Sequence, residues 1–142
     1  MYETSDSLRA VLQLIEEQGS ARFPDVYAGL EVVPEKGHAI VYRMPSAEFD
    51  DFVISAAGDE RVYLRDAEHS RRELEALHER VTGDAEYWKG RGVDIYVVGA
   101  RHDGSGVVVG TLDVDRARAE FPGRYGTRIP IFVEEQGPVT PY

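Results

Sequence analysis

One succession of predicted elements occurs twice along the chain, and this repeat constrains the fold more than any single motif. Residues 5–66 have the pattern of a helix, a β-hairpin, a short helix and a strand, and residues 70–135 repeat that order. The hairpin strands align in these pairs: Gly29-Leu-Glu-Val-Val with Asp94-Ile-Tyr-Val-Val, and Ala39-Ile-Val with Val107-Val-Val. Offsets of 65 and 68 residues indicate an internal duplication. We therefore predict an α+β fold of two similar α-β-β-α-β halves, with antiparallel sheets and helices packed on one face.

Local signals in the first half predict where its helices begin and end. Ser5 or Asp6 can cap a helix whose apolar residues recur at spacings of three and four, and Gly19 is predicted to end it. Two β-rich runs around the sequence PEKG form the predicted hairpin. A short helix is predicted to begin at Ser46 and to end at Gly58, and a strand follows it.

The second half carries signals of the same kind. Ser70 caps a longer helix, with a glutamate three residues later as in a capping box, and Gly83 predicts a break in that helix. After the second hairpin, a short helix over residues 113–121 is predicted to end at Pro122. Residues 129–134 are predicted to form the closing strand.

Composition limits the classes of protein that remain. The 142 residues suit a single compact unit over residues 1–142, because neither half alone would bury enough apolar surface. A net charge of −10 repels phosphate backbones and anionic lipid, so we expect no nucleic-acid partner and no membrane partner. Cysteine is absent, which excludes disulfides and thiolate sites. With no signal peptide and no run of roughly 20 apolar residues, a cytoplasmic location is predicted.

The motif that most suggests chemistry is GARHDGSGVVVG, residues 99–110, which places His102, Asp103 and Ser105 among four glycines. A phosphate-binding loop would need a lysine after its second glycine, and a dinucleotide-binding loop would need a helix where the three valines stand. Adjacent residues at a hairpin tip cannot hold the geometry of a catalytic triad. Asp-Gly and Ser-Gly pairs are typical of the left-handed conformations in a hairpin tip, so we interpret the stretch as a turn.

The remaining histidines predict neither a metal site nor a catalytic site. His69 and His78 are nine residues apart, which turns them to opposite sides of a helix. Glu75 and His78 supply only two ligands where a metal ion usually takes three or four, and we interpret them as a solvated pair. We therefore expect no catalytic residues, no metal and no cofactor.

Five tyrosines on or near predicted strands leave two interpretations open. Each ring is buried with its hydroxyl toward water, or several rings share one side of a sheet and form a surface for a partner. These residues are Tyr27, Tyr42, Tyr63, Tyr96 and Tyr125.

The helix RRELEALHERV, the hairpin GVDIYVVGARHDGSGVVVGTL and the helix and strand after them resemble a known module. It is the pro-region of bacterial chymotrypsin-like serine proteases of the alpha-lytic protease and streptogrisin type, here interpreted as a free-standing copy. The upstream run YAGLEVVPEKGHAIVY resembles the other hairpin of that family, so the resemblance spans Tyr27 to about Glu134. It implies a non-catalytic role in which the sheet pairs with a strand of a protease and the C-terminal tail lies in the protease cleft. The residues that carry the resemblance are Glu73, Leu74, Leu77 and Val81 in the helix, and Ile95, Val97, Val107, Val108 and Val109 in the hairpin.

We therefore expect an interaction or regulatory module without enzymatic activity, which binds a protein partner through a sheet edge and the extended tail, residues 136–142. The residues expected to contact the partner are Ile129, Ile131, Phe132, Val133, Pro138 and Tyr142. Two alternatives remain open. One is a small-molecule-binding protein or small enzyme with a site between the halves, lined by tyrosines and using Glu or His as acid and base. The other is a homodimer joined through its sheets.

Overall fold

The computed structural model describes residues 4–138, and these form two compact units of helices and strands. The first unit takes in the chain up to Glu73 together with His102–Gly104, and the second takes in Leu74–Arg101 and the chain from Ser105 onward. The predicted α+β class with two similar halves is confirmed. No helix within residues 4–138 is both long enough and apolar enough to cross a membrane.

Both halves follow the order α-β-β-α-β. The second half has one additional short α-helix, and the hairpin turn of the first half contains a 3-10 helix, Pro34–Lys36. The first half contains α1 (Asp6–Arg22), β1 (Tyr27–Val33), β2 (His38–Arg43), α2 (Ala47–Ala57) and β3 (Val62–Asp66). The second half contains α3 (Arg71–Gly83), α4 (Ala85–Gly90), β4 (Ile95–Ala100), β5 (Val107–Thr111), α5 (Val114–Tyr125) and β6 (Ile131–Glu135). The predicted break at Gly83 is confirmed, since α3 ends there.

Each unit has a three-stranded sheet with the second strand of its hairpin in the middle, in the orders β1-β2-β3 and β4-β5-β6. The hairpins are antiparallel as predicted, but β3 joins β2, and β6 joins β5, in parallel. The sheets are therefore mixed rather than antiparallel throughout. The reason is that α2 and α5 carry the chain back to the end of the sheet at which the middle strand began, so the next strand runs in the same direction.

The two hairpins superimpose in sequence with an offset of 68 residues. Tyr27 and Ile95 each precede a bulge at the start of their hairpin. The predicted match of Gly29 with Asp94 is wrong, because Gly29 follows its bulge in the same place as Val97. The bulge is thus part of the duplicated pattern. It shifts the register in which the first strand of each hairpin pairs with the second.

Helices cover one face of each sheet. In the first unit, Ile15 of α1 and Phe49 of α2 share a buried cluster with Val41 of β2. In the second unit, residues of α3, α4 and α5 share a buried cluster with Val107 and Val109 of β5. Because alternate residues of a strand point to opposite faces, the helices lie on the face to which these valines point.

The predicted helix starts are confirmed by their capping hydrogen bonds. The hydroxyl oxygens of Ser5, Ser46 and Ser70 each accept a bond from the backbone N–H three residues later, at 3.1, 3.2 and 3.2 Å. A serine at this position satisfies one of the backbone donors that the first turn of a helix leaves without a partner, and this is a purely local effect.

Two predicted helix ends are wrong. The first helix runs past Gly19 to Arg22, where a Cβ on Gly19 would lie 2.8 Å from Cγ of Tyr27. This glycine therefore gives room to a buried ring instead of ending the helix. The fifth helix runs through Pro122 to Tyr125, and its last turn is closed by the Gly126 N–H, which donates to Pro122 O at 2.9 Å.

Candidate binding site at the edge of the second sheet

Strand β6 lies at an edge of the second sheet, and its backbone groups alternate in direction. Val107 lies opposite Ile131, and its N–H donates to Pro130 O at 3.0 Å. At the other end, the N–H of Gln136 donates to Thr111 O at 3.1 Å. In a parallel ladder with this register, the intervening residues at positions 132 and 134 bond to β5, while those at 131, 133 and 135 direct their N–H and C=O groups away from it.

One side chain reaches this open edge from α5. The guanidinium of Arg118 donates from Nη2 to Val133 O at 3.1 Å, which confirms that this carbonyl points away from β5. Among residues 4–138, no carboxylate oxygen lies within 4 Å of a guanidinium nitrogen of Arg118. Arg118 therefore donates to Val133 O, the central outward-pointing carbonyl of the edge. It lacks the carboxylate partner that most of the described arginines have.

An apolar recess of about 240 Å³ lies beside the same edge, between the C-terminal half of α5 and the segment that leads into β6. Phe121, Ile129, Ile131 and Val133 contribute to its walls, and Arg118 lines it as well. Small-molecule sites usually measure about 300–1,000 Å³, so this recess suits one or two apolar side chains better than a cofactor.

The structure brings some of the predicted contact residues together and separates others. Ile129, Ile131 and Val133 line the recess. Phe132 is on the opposite face of the sheet, where the guanidinium carbon of Arg101 lies 4.0 Å from the centre of its ring. Pro138 is exposed beyond the end of β6, and Tyr142 lies outside the described residues. That these six residues bind a partner stays a prediction.

Sequence reasoning missed Arg118 and Phe121 as parts of this site. Both are on α5, and neither stands near β6 in the sequence. In the sequence, the run DVDRARAE, residues 113–120, places acidic residues at the start of a predicted helix, where they suit the helix dipole. Nothing in its spacing indicates that an arginine reaches across to a strand edge, because the contact depends on how α5 packs against the sheet.

The glycine-rich stretch between β4 and β5 is a turn. Gly104 has φ +76°, a left-handed conformation that residues with a side chain rarely adopt. His102 and its neighbours up to Gly104 belong to the first unit, where a Cβ on Gly29 of β1 would overlap the carbonyl oxygen of His102. The polar residues of the stretch therefore belong to a loop that packs on a strand.

Within the first unit, this loop completes a cluster of a tyrosine, a glutamate and a histidine. Tyr42 donates from its hydroxyl to Glu31 Oε2 at 3.0 Å, and His102 Nε2 lies 3.6 Å from the same oxygen. Partial burial, followed by the hydrogen bond to Glu31, raises the pKa of Tyr42. His102 and Glu31 are 58% and 43% exposed. The cluster therefore joins the loop to β1 and β2 through Glu31 and Tyr42.

Two of the five tyrosines pack in the cores, and two others share one face of the first sheet. Tyr27 is 1% exposed in the core of the first unit, and Tyr125 packs on Trp88 in the core of the second. Tyr42 and Tyr63 occupy alternate register positions that place both on the face of the first sheet opposite its helices.

His69 and His78 each contact a neighbouring group of the protein. His69 is 7% exposed, and its Nδ1 lies 3.5 Å from Glu73. His78 Nε2 lies 3.0 Å from Val98 O, and Glu75 lines the same shallow depression. Among the residues that the structure describes, no group of three or more His, Asp or Glu side chains is arranged to hold a metal ion.

Comparison with known proteins gives no family for this chain. No protein-family model matches it, and no curated protein matches it either.

Proposed function

We propose that this protein is a non-catalytic binding module that takes up an extended segment of a partner protein as an additional strand on β6. The observation that carries the proposal is the edge of β6 itself: backbone groups of Ile131, Val133 and Glu135 point away from β5, beside an apolar recess. In binding by strand addition, backbone hydrogen bonds supply affinity and recesses for alternate side chains supply specificity.

The features beside β6 favour a peptide segment over other ligands. The recess of about 240 Å³ is smaller than most small-molecule sites and suits one or two apolar side chains next to the strand edge. The net charge of −10 disfavours a nucleic acid. The resemblance to protease pro-regions implies the same kind of contact, a sheet edge that pairs with a strand of another protein.

Substitution of Glu135 by proline tests the proposal, because this N–H points away from β5. Proline removes the donor and leaves the pairing of β6 with β5 in place. We expect Glu135→Pro to weaken binding roughly 3- to 10-fold, the value of about one hydrogen bond, with little loss of stability. Glu135→Ala removes the same charge and keeps the N–H, so it should bind like the wild type.

The binding assay uses peptides selected from a display library of random 12-residue sequences against the purified full chain. Hydrogen exchange measured by NMR then locates the bound peptide. In the free protein, the amides at positions 131, 133 and 135 should exchange faster than those at 132 and 134, and the peptide should protect them. Recovery of no binding peptide, or protection confined to other strands, would contradict the proposal.

A second proline variant tests whether the backbone groups of β6 alternate in direction. Glu134→Pro removes an N–H that bonds to β5 and leaves a carbonyl of β5 without its partner, so it should lower the free energy of unfolding by about 1–3 kcal/mol, unlike Glu135→Pro. Equal stabilities of the two proline variants would show that β6 is not oriented as described.

A further inference from the structure

We infer that the segment bound at β6 carries an acidic side chain that pairs with Arg118. This inference rests on the proposed function, since it specifies the partner that the β6 edge would select. Arg118 and an incoming strand need the same acceptor, Val133 O. A strand that takes this oxygen leaves the guanidinium of Arg118 to another partner.

The competition concerns Val133 O. This carbonyl is the central outward acceptor of β6, and the Nη2 of Arg118 already donates to it at 3.1 Å. A strand that pairs along residues 131–135 needs the same oxygen as an acceptor for one of its own N–H groups. Binding therefore requires the guanidinium of Arg118 to leave Val133 O.

The displaced guanidinium then turns to water or to an acceptor on the incoming segment, because Arg118 is an exposed residue. A carboxylate on that segment forms an ion pair with the guanidinium, which the neutral carbonyl of Val133 does not. Asp115 and Glu135 line the wider cleft that Arg118 also borders, yet neither reaches within 4 Å of it in the present structure. A carboxylate on the incoming segment beside Val133 would meet the guanidinium directly and can accept two parallel hydrogen bonds from it.

Arg118 is one of the described arginines that donate to a backbone carbonyl, as Arg61 and Arg80 also do, while most of the others pair with a carboxylate. Acidic residues outnumber basic residues by 26 to 16, and eight described arginines pair with a carboxylate within 4 Å: Arg9, Arg43, Arg71, Arg72, Arg91, Arg101, Arg116 and Arg124. Arg118 instead donates to a backbone carbonyl at the open edge. Its charge is therefore available to an acidic group from outside the chain, in a protein whose overall charge repels such groups.

Library selection against the wild type and Arg118→Ala tests the inference. We expect peptides enriched on the wild type to carry Asp or Glu at one fixed position relative to their apolar residue, and peptides enriched on Arg118→Ala to lack that preference. Unfolding of both proteins by urea, followed by circular dichroism, verifies that the variant is folded.

A matched pair of peptides makes the test quantitative. For one selected sequence with Glu or Gln at that position, the wild type should prefer the Glu form by roughly 2- to 5-fold, the range of a partly exposed ion pair. Arg118→Ala should bind both forms equally, and it should bind the Gln form at least as tightly as the wild type does, because no bond to Val133 O has to break. Arg118→Lys should retain part of the preference, since it keeps the charge and loses the paired donors.

The outcomes separate this inference from the proposed function. Equal binding of the Glu and Gln forms by the wild type, or a Glu preference that persists in Arg118→Ala, would overturn the inference while peptide binding at β6 stands. Failure of both proteins to enrich any peptide would overturn the proposed function and this inference together.

Discussion

Replacing Asp84 by asparagine should weaken one polar network in the second unit, and the loss should depend on pH. Asp84 directly precedes α4, and its Oδ2 accepts hydrogen bonds from Arg124 Nε at 2.9 Å and from the Tyr125 hydroxyl at 2.7 Å. Its Oδ1 accepts a further bond from Arg124 Nη2 at 3.1 Å. The Tyr125 hydroxyl in turn accepts a bond from Trp88 Nε1 at 2.8 Å. The carboxylate is therefore connected to the buried tryptophan of the core.

The expected magnitude follows from the exposure of the ion pair. The side chains of Asp84 and Arg124 are 23% and 36% exposed. Exposed pairs contribute roughly 0.2–1 kcal/mol, whereas hydrogen bonds to charged groups that are shielded from water contribute roughly 1.5–3 kcal/mol. For this intermediate exposure we expect Asp84→Asn to lower the free energy of unfolding by about 1–2 kcal/mol at pH 7.

The pH dependence has a definite sign. Hydrogen bonds from Arg124, and after them the bond from Tyr125, lower the pKa of Asp84 from 3.8 to about 2. A carboxyl group whose pKa is lower in the folded state contributes stability that is complete above its unfolded pKa and disappears as the pH falls toward the folded pKa. The gap between wild type and Asp84→Asn should therefore be constant from pH 7 to pH 5 and fall to about half at pH 3.

Urea unfolding followed by the fluorescence of Trp88 measures this gap. Trp88 is the single tryptophan of the chain, and it is 1% exposed. Arg124→Gln removes the partner, so the double variant should lose less stability than the sum of the two single losses. A gap below about 0.5 kcal/mol at pH 7, or the same gap at pH 7 and pH 3, would refute the reasoning.

Two further predictions concern the first unit, and both use unfolding followed by circular dichroism. Gly29→Ala should lower the free energy of unfolding by about 1–3 kcal/mol, because the added Cβ would overlap the backbone of His102. Gly99→Ala should change it much less, because no atom of residues 4–138, apart from its chain neighbours, lies within 4 Å of the added Cβ. Equal losses would argue against the packing of the loop on β1. Burial, and then the hydrogen bond to Glu16, raises the pKa of Tyr27 far above its ordinary value of 10. This group thus contributes stability below pH 10 that is lost at higher pH, so the gap between wild type and Tyr27→Phe should narrow from pH 8 to pH 11, and a constant gap would contradict the assignment.

Features that depend on a few neighbouring residues could be predicted from the sequence. Ser5, Ser46 and Ser70 cap their helices as predicted, since the bond from a serine hydroxyl to an N–H three residues later needs no other part of the fold. Gly104 has the left-handed conformation expected in the hairpin tip. The α-β-β-α-β order of both halves follows from the same kind of local pattern.

Features that depend on distant contacts could not be predicted in this way. Gly19 was expected to end a helix, but its missing side chain makes room for the ring of Tyr27, and the helix continues. Pro122 was expected to end another, yet that helix continues to Tyr125, whose ring packs in the core. In both cases a tertiary contact outweighs the local preference of one residue.

The sequence by itself determined the class of the fold, the duplication and the starts of the helices, because spacing and capping act within one turn or one hairpin. Only the tertiary structure decided that the third strand of each sheet runs parallel, since this depends on where α2 and α5 return the chain. That direction determines which backbone groups of β6 point outward and brings Arg118 to Val133 O. The candidate site therefore results from packing between α5 and β6, and the contact between them is set by the three-dimensional path of the chain.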